Sequence, residues 1–344
     1  MTLKDRIRAF ALLGVTLEKI VTCQEKNEPL EHCISNEYQY NAWFTPYFIR
    51  QAIQAIARML QENDLNSWME KYSEKIEQHQ PCKVGVIMAG NIPLVGFHDF
   101  LCVLLAGDIF VGKLSSNDQH LLPAVANILL GIEPRFQEYI FFEEKISGID
   151  KIIATGGEQA HQYFSYYFRK YPSIIRSHCN SVALLNGQES SSELSALADD
   201  IMLYFGMGCR SVSKIYVPQG YQFRPLFEQM DKYKDSIGLH NKYLNNLEYQ
   251  KTLHLMDSIP FLDQGMMVVK EHESLSSPIA VLHYEYYSDI QTCNNKIKQL
   301  GDILQCAVSN CIDDPFYHRL GQAQNPRIDD YANHIDTIRF LTES

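Results

Sequence analysis

Short apolar runs alternate with longer apolar stretches in the middle of this chain, and this alternation restricts the fold most. The runs KVGVIMAGN (83–91), DIFVGKLS (108–115), EYIFFEE (138–144) and IDKIIATGG (149–157) are predicted strands, and PLVGFHDFLCVLLAG (93–107) and HLLPAVANILLGI (120–132) are predicted helices. Strands separated by helices pair in parallel. We therefore expect an α/β fold with a doubly wound parallel sheet.

The rest of the chain indicates a second domain. A protein of 344 residues exceeds the usual size of one hydrophobic core. Residues 1 to about 80 have helical spacing of apolar side chains, and strand and helix patterns alternate again after HCNSVALLN (178–186). In this second part, ELSALADDIMLYFGMGC (193–209) and CNNKIKQLGDILQC (293–306) are predicted helices. We expect N-terminal helices and a cofactor domain over 1–190, a second α/β domain over 191–325, and a tail over 326–344.

Composition excludes several classes of function. The formal net charge is −11 and no run of Lys or Arg offsets it, so nucleic acid is not an expected partner. No apolar run approaches the roughly 20 residues that span a bilayer, and the N-terminal segment has the pattern of an amphipathic helix rather than a signal peptide, so we expect a cytoplasmic protein. The nine cysteines lack both a disulfide framework and metal-ligand spacing, and no metal is predicted.

Three predicted loops follow strands of the first sheet, at the edge where doubly wound folds bind ligands. The first carries Asn91, the second Lys113 with Ser115 and Ser116, and the third Thr155-Gly156-Gly157 before a helix. Backbone N–H groups at that helix start could receive a phosphate, and the lysine and serines could contact a ribose or phosphate. The alternatives are an ordinary glycine turn and a solvated lysine at a strand end.

Cys209 lies in FGMGCRSVSK (205–214), between Gly208 and Arg210. A cysteine on a glycine-rich turn beside a guanidinium is typical of an activated thiolate, whereas a lone cysteine is also a common core residue. Arg210 either lowers the thiol pKa or pairs with a carboxylate.

Two other groups are given structural interpretations. The adjacent pair His98-Asp99 points to different sides of a helix, so it is not expected to act as an acid/base pair. The aromatic cluster YFSYYFRKY (163–171) is interpreted as core packing rather than as an acyl tunnel.

The order of these motifs resembles the aldehyde dehydrogenase superfamily. In particular, AGNIPLVGFHDFLCVLLAGDIFVGKLSSNDQHLLP (89–123), GMGCRSVSKIYVP (206–218) and GQAQNPRIDDYANHIDTIRFL (321–341) are similar to LuxC-type acyl-CoA reductases, which reduce fatty-acyl thioesters to aldehydes. The resemblance covers roughly residues 80–344. It implies an aldehyde-dehydrogenase-like fold, with a Rossmann-like cofactor domain and a catalytic domain that carries the cysteine.

The resemblance assigns roles to individual residues. Cys209 matches the acyl-accepting nucleophile, and Asn91 matches the asparagine that forms the oxyanion hole with the backbone N–H of the cysteine. Lys113, Ser115 and Ser116 match the segment that holds the adenosine ribose. Thr155, Gly156 and Gly157 match the turn near the pyrophosphate.

Departures from the superfamily pattern refine the expected activity. SIIRSHCNSVALL (173–185) lacks the glutamate that activates water in oxidising members, which favours reduction. Ser116 stands near the place of a glutamate typical of NAD-preferring members, which favours NADPH over NADH. Ser277-Pro278 replaces a Gly-Pro that follows a cofactor-binding glutamate, and Glu273 is out of step with that glutamate.

The resulting prediction is an NADPH-dependent acyl-CoA reductase that acts on acyl-CoA or an acyl-protein thioester. The alternatives are an oxidative aldehyde dehydrogenase and a non-reducing acyl acceptor that works with an acyl-protein synthetase. A homodimer is expected by family analogy, with the tail 326–344 as a candidate oligomerisation segment. The chain is also shorter than the luminescence reductases, chiefly before residue 80, so a cap or part of the acyl pocket is expected to be missing.

Overall fold

Five helices form the N-terminal part of the computed structural model, which describes residues 1–343. They are α1 (Leu3–Val21), α2 (Glu28–Asn36), α3 (Pro46–Met59), α4 (Glu62–Glu70) and α5 (Ser73–Gln78). Thr2 caps α1 in a reciprocal arrangement with Asp5, and Thr45 accepts the Phe48 N–H at the start of α3. The helical character expected for residues 1–80 is confirmed.

The first sheet is fully parallel. Its strands are β1 (Lys83–Ile87), β2 (Ile109–Lys113), β3 (Ile140–Phe142), β4 (Lys151–Thr155) and β5 (Ser173–Arg176), in the order β3-β2-β1-β4-β5. The helices that follow β1, β2 and β4 are α6 (Phe97–Ala106), α7 (Leu121–Ile132) and α8 (Glu158–Tyr167). The order reverses on either side of β1, so this is the predicted doubly wound arrangement.

The second sheet has six strands in the order β11-β6-β7-β10-β9-β8, and its one antiparallel pair is β8–β9. Its strands and the helices around it are β6 (Asn180–Leu184), α9 (Ser191–Met202), β7 (Val212–Pro218), α10 (Arg224–Met230), α11 (Asn241–Met256), β8 (Leu262–Asp263), β9 (Val268–Glu271), β10 (Val281–Tyr287), α12 (Ile290–Lys298) and β11 (Leu304–Val308). A further helix, α13 (Thr337–Thr342), packs on α6 beside the first sheet. The predicted second α/β sheet is present.

Two helices predicted for this second part of the chain are shorter in the structure. The predicted helix over 293–306 ends at Lys298, because Gly301 adopts a left-handed φ of +51° and the chain then enters β11. The predicted helix over 193–209 ends at Met202, because Tyr204 and Phe205 are also left-handed. Strand β5 was not predicted.

The chain forms two compact units. One comprises Met1–His178 together with the C-terminal residues from Arg327 onward, and the other is Cys179–Pro326. Strand β6 pairs with β7 and β11, so the second unit begins earlier than residue 191, where the sequence pattern placed it. The functions assigned to the two domains stay predictions.

The C-terminal tail is anchored in the first unit. Ile338 and Leu341 of α13 are fully buried, and the Tyr331 hydroxyl accepts the indole N–H of Trp68 at 3.0 Å. Arg176 donates to both carboxylate oxygens of Asp99 and to the hydroxyl of Thr337. Asp99 therefore forms a buried ion pair, which agrees with the structural role predicted for it from the sequence. No helix within residues 1–343 is both long enough and apolar enough to cross a membrane.

Candidate active site

The carboxyl ends of three parallel strands bring together the loop residues predicted for the cofactor. Ile87 at the end of β1 is in register with Lys113 of β2 and with Ala154 of β4. Consequently the loops that carry Asn91, Ser115 and Gly156 all leave the same edge of the first sheet. The sequence prediction that these loops share one edge is confirmed.

The loop after β1 packs closely on the loop after β2. A Cβ atom at Gly90 would lie 2.5 Å from the Ser115 hydroxyl oxygen, so only glycine fits beside Ser115 without a shift. The Ser115 hydroxyl in turn accepts the backbone N–H of Asn117 at 3.2 Å. Ser115 therefore shapes the turn beside Asn91, while Ser116 is exposed at its surface.

Asp118 connects these two loops by a hydrogen bond, although no sequence motif marks this residue. Its Oδ2 accepts the backbone N–H of Leu94 at 3.0 Å, and Leu94 is held at a left-handed φ of +59°. Within residues 1–343, its buried Oδ1 has no hydrogen-bond partner. Burial raises the pKa of the Asp118 carboxyl to about 7, and the nearby Glu37 adds to this. Asp118 thus fixes the loop that carries Asn91.

Lys113 is half-buried at the end of β2, and its Nζ donates a hydrogen bond to the Glu144 carbonyl oxygen at 2.8 Å. Glu144 follows β3, the neighbouring strand. The lysine is therefore held across the strand ends, at the edge where doubly wound folds bind ligands, rather than being fully solvated.

The Thr155–Gly157 turn leads from β4 into α8. Gly156 donates its N–H to the Arg176 carbonyl oxygen, and a Cβ there would lie 2.7 Å from the Ala160 Cβ. Gly157 is the N-cap residue of α8, and a Cβ there would meet nothing within 4 Å. Open space beside helical N–H groups suits a phosphate. The residues present at this edge therefore fit a dinucleotide.

Cys209 lies in the second unit, on a short turn between α9 and β7. Its carbonyl oxygen accepts the Ser181 hydroxyl at 2.9 Å, and the Gly208 N–H donates to the Ser211 hydroxyl at 3.2 Å. The side chain is half-buried, in contrast to the buried Cys293. These hydrogen bonds hold the main chain of the turn in place, and Cys209 as a residue is partly accessible.

The other half-buried thiols are Cys33, Cys82 and Cys311. Burial raises the pKa of each of them, that of Cys82 to about 12. These three groups are protonated at neutral pH and are poor nucleophiles.

Arg210 contacts the main chain of its own unit, and the two roles considered for it stay predictions. Its Nε donates to the Ala323 carbonyl oxygen at 2.6 Å. The contact joins the Cys209 turn to the segment that follows β11.

The core-packing interpretation of the aromatic cluster at 163–171 was wrong for its tyrosines. Tyr163, Tyr166 and Tyr167 are 60%, 70% and 59% exposed, whereas Phe168 is buried. The phenylalanine faces the core, and the tyrosines lie on the outer side of α8 because the phenol hydroxyl tolerates solvent.

One group of potential metal ligands, His79, Cys82 and Asp108, lies at the opposite edge of the first sheet, just before β1 and β2. His79 Nε2 and Asp108 Oδ1 are 2.6 Å apart, and the Cys82 N–H donates to the same oxygen at 2.9 Å. These are hydrogen-bond distances. The expectation that the chain binds no metal stays a prediction.

Comparison with solved structures identifies the fold. An aldehyde dehydrogenase 21 from Physcomitrella patens in complex with the product succinate matches with a TM-score of 0.67 and 12% identity, over 99% of this chain and 84% of that one. An NAD-dependent benzaldehyde dehydrogenase from Corynebacterium glutamicum matches with a TM-score of 0.60 and 11% identity, over 91% of this chain and 78% of that one. The predicted aldehyde-dehydrogenase-like fold is confirmed.

Comparison of sequences identifies the family. A long-chain acyl-protein thioester reductase of Photorhabdus laumondii is 25% identical over 177 residues, which are 45% of this chain and 37% of the relative. A long-chain acyl-protein thioester reductase 2 of Photobacterium leiognathi is 23% identical over 201 residues, 51% of this chain and 42% of the relative. The chain thus spans about two fifths of the length of these relatives. The family described as acyl-CoA reductase (LuxC) matches residues 25–233, and this chain belongs to that family.

Proposed function

We propose that this protein reduces a fatty-acyl thioester to the aldehyde through an acyl group carried on Cys209. The observation that carries the proposal is the family match over residues 25–233, which includes Asn91, Lys113, the 155–157 turn and Cys209 in order. The acyl-protein thioester reductases that resemble this chain indicate the substrate class. Acyl-CoA and an acylated protein are the two candidate donors.

In the proposed reaction, the Cys209 thiolate attacks the acyl carbonyl carbon. A new C–S bond forms, the bond to the carrier sulfur breaks, and the carrier leaves as a thiol after it takes up a proton. The Asn91 amide donates a hydrogen bond to the carbonyl oxygen while that oxygen is negatively charged, which typically contributes roughly a hundredfold or more in rate. Cys209 is regenerated as the thiolate when the aldehyde departs.

A reduced nicotinamide cofactor, when bound, supplies the hydride for this reduction. Lys113, Ser115 and Ser116 would contact its adenosine ribose, and Thr155, Gly156 and Gly157 its pyrophosphate. We propose NADPH rather than NADH, because the neutral Ser116 does not repel a 2′-phosphate.

The absence of a carboxylate from residues 173–185 supports reduction over oxidation. A carboxylate beside a cysteine thioester can activate water as a general base, and the acyl group is then lost as an acid. Strands β5 and β6 occupy most of this stretch, and its polar residues are Ser, Arg, His, Cys and Asn. An acyl group on Cys209 would survive long enough to be reduced.

A non-reducing acyl acceptor is the second candidate, and the segment 273–278 favours it. No Gly-Pro follows a glutamate there; instead, the backbone carbonyls of Glu273, Ser274 and Leu275 accept hydrogen bonds from Lys214, His283 and Ser213. Such a protein would pass its acyl group to or from an acyl-protein synthetase. We propose a homodimer that works in the cytoplasm for either candidate.

The decisive experiment combines the protein with acyl-CoA thioesters of increasing chain length, with and without NADPH or NADH. The expected results are a thioester on the Cys209 peptide by mass spectrometry without cofactor, and consumption of NADPH with release of aldehyde when it is added. The Cys209→Ser variant should lose both, while Cys311→Ser, which changes another half-buried thiol, should lose neither. Acylation without reduction supports the second candidate, and no adduct at any chain length refutes both.

A further inference from the structure

The residues that flank Cys209 are tied to a distant segment of the second unit. Arg210 donates to the Ala323 carbonyl oxygen at 2.6 Å, and the Gln324 side-chain N–H donates to the Ser211 hydroxyl at 3.0 Å. Gln324 is 9% exposed and Ser211 is 2% exposed, so their hydrogen bond is shielded from water. We call Gly321–Gln324 the clamp segment.

The clamp segment is itself fixed to the helix that leads into the turn. The Asp200 carboxylate on α9 accepts the N–H groups of Gly321 at 2.6 Å and Ala323 at 3.0 Å. Asp200 is fully buried. Gly321 has a φ of +87°, and a Cβ there would lie 2.8 Å from the Ala196 Cβ, so this close approach to α9 requires glycine. The segment is therefore positioned by backbone contacts rather than by surface packing.

These contacts hold both ends of the chain segment that contains Cys209. The chain runs from Asp200 through the left-handed Tyr204 and Phe205 to Cys209. The clamp segment bridges the two ends of this path, since it contacts α9 on one side and the residues after Cys209 on the other. Left-handed non-glycine residues are strained, and they persist only where the surroundings hold them.

We propose that Asp200 and Gln324 are positioning residues that hold the Cys209 turn in its reactive conformation, an inference that rests on the proposed function of Cys209. Gln324 acts through Ser211, whose hydroxyl also accepts the Gly208 N–H. Loss of the Gln324 amide frees Ser211 to rotate, and the residue before the nucleophile loses its fixed partner. Hydrogen bonds in such buried networks depend on one another.

The experiment compares Gln324→Met with Gln322→Met. Methionine keeps the volume of glutamine and removes its N–H donor, and Gln322 is an exposed glutamine two positions away in the same segment. Hydrogen exchange of the peptide 207–212 should be about tenfold faster in Gln324→Met and unchanged in Gln322→Met, at equal melting temperatures. Thioester formation should slow about tenfold in kcat, with KM for the acyl-CoA changed less than twofold.

A double-mutant cycle of Gln324→Met with Ser211→Ala tests whether Gln324 acts through Ser211. If Gln324 acts through Ser211, the double variant should form thioester no more than twofold slower than the slower single variant. Asp200→Asn, which weakens the clamp from the other side, should also accelerate exchange of 207–212. Equal exchange in the Gln324 and Gln322 variants, or fully additive rate effects, would overturn the proposal. A wild-type protein that forms no thioester would refute the proposed function, while the exchange comparison would still decide the role of Gln324.

Discussion

At the scale of single residues, Asp118 and Arg210 each form a hydrogen bond with a partner that lies far away in the sequence. Cys209, Lys113 and the 155–157 turn were identified as candidates because strand ends and glycine turns mark them, and their roles stay predictions. Asp118 was not identified, because its role depends on the Leu94 N–H, which lies 24 residues away in the sequence. The contact of Arg210 with Ala323 was unreadable for the same reason.

The raised pKa of Asp118 predicts a pH-dependent stability. The unfolded carboxyl has a pKa near 3.8 and the folded one about 7, so the native state holds its proton more tightly. The stabilisation that comes from this tighter proton binding is fully present below pH 4 and is lost as the pH rises through 7. Over this range the free energy of unfolding falls by up to about 1.4 kcal/mol per pH unit.

Urea unfolding of wild-type protein and of Asp118→Asn from pH 4 to 8 measures this effect. The neutral amide keeps an acceptor for Leu94, so the variant should gain stability relative to wild type as pH rises. The exposed Asp235→Asn is the control, and its difference from wild type should stay constant. A constant difference for Asp118→Asn as well would contradict the assigned pKa.

The neutral side chain of Ser116 predicts a preference for NADPH over NADH. Because Ser116 is exposed on the loop after β2, Ser116→Glu adds a carboxylate there without disturbing the core. We expect KM for NADPH to rise about tenfold or more through repulsion of the 2′-phosphate, with KM for NADH nearly unchanged. Equal changes in KM for NADPH and NADH would contradict the placement of Ser116 beside the adenosine ribose.

At the scale of elements, the sequence predicted the strands of the first sheet well where apolar β-branched runs are followed by glycine or polar loops. It failed for β11, because residues 293–306 have one continuous helical pattern, which the left-handed Gly301 interrupts before β11 begins. It also failed at the end of α9, where two bulky residues adopt left-handed backbone angles that only the folded surroundings stabilise. Such breaks arise from tertiary contacts rather than from local propensity.

Two glycines that differ in their surroundings test how tightly the ligand-edge loops are packed. Gly90→Ala would place a Cβ 2.5 Å from the Ser115 hydroxyl, and should cost about 1–3 kcal/mol of unfolding free energy and weaken NADPH binding. Gly131→Ala, on the exposed side of α7 with nothing within 4 Å, should stabilise the protein by roughly 0.5–1 kcal/mol. Denaturant unfolding and cofactor titration measure both, and a stabilising Gly90→Ala would disprove the close packing.

At the scale of the whole molecule, the second unit is an insertion into the first. The chain leaves the first unit after His178 and returns to it at Arg327. The alternating pattern of the sequence predicted two α/β parts, but it gave no indication of this return. The C-terminal tail packs on the first unit through Tyr331, Thr337 and Leu341, whose contacts are with residues much earlier in the sequence.

Removal of residues 327–344 should therefore destabilise the first unit selectively. The truncation would expose the Trp68 indole and leave the buried Asp99–Arg176 pair without Thr337. Hydrogen exchange should rise across α1–α6 and remain near its wild-type level in β6–β11. A uniform rise in both units, or no change in either, would contradict the anchoring role of α13.

The return of the tail also has a consequence for synthesis on the ribosome. The residues of the second unit are contiguous from Cys179 to Pro326, so this unit can fold as soon as they have emerged. The first unit cannot bury the Trp68 side of its core until residues 331–341 follow. The unit that is translated first is then the last to be completed, and its apolar surface stays exposed to chaperones and proteases while the unit that carries Cys209 has already formed.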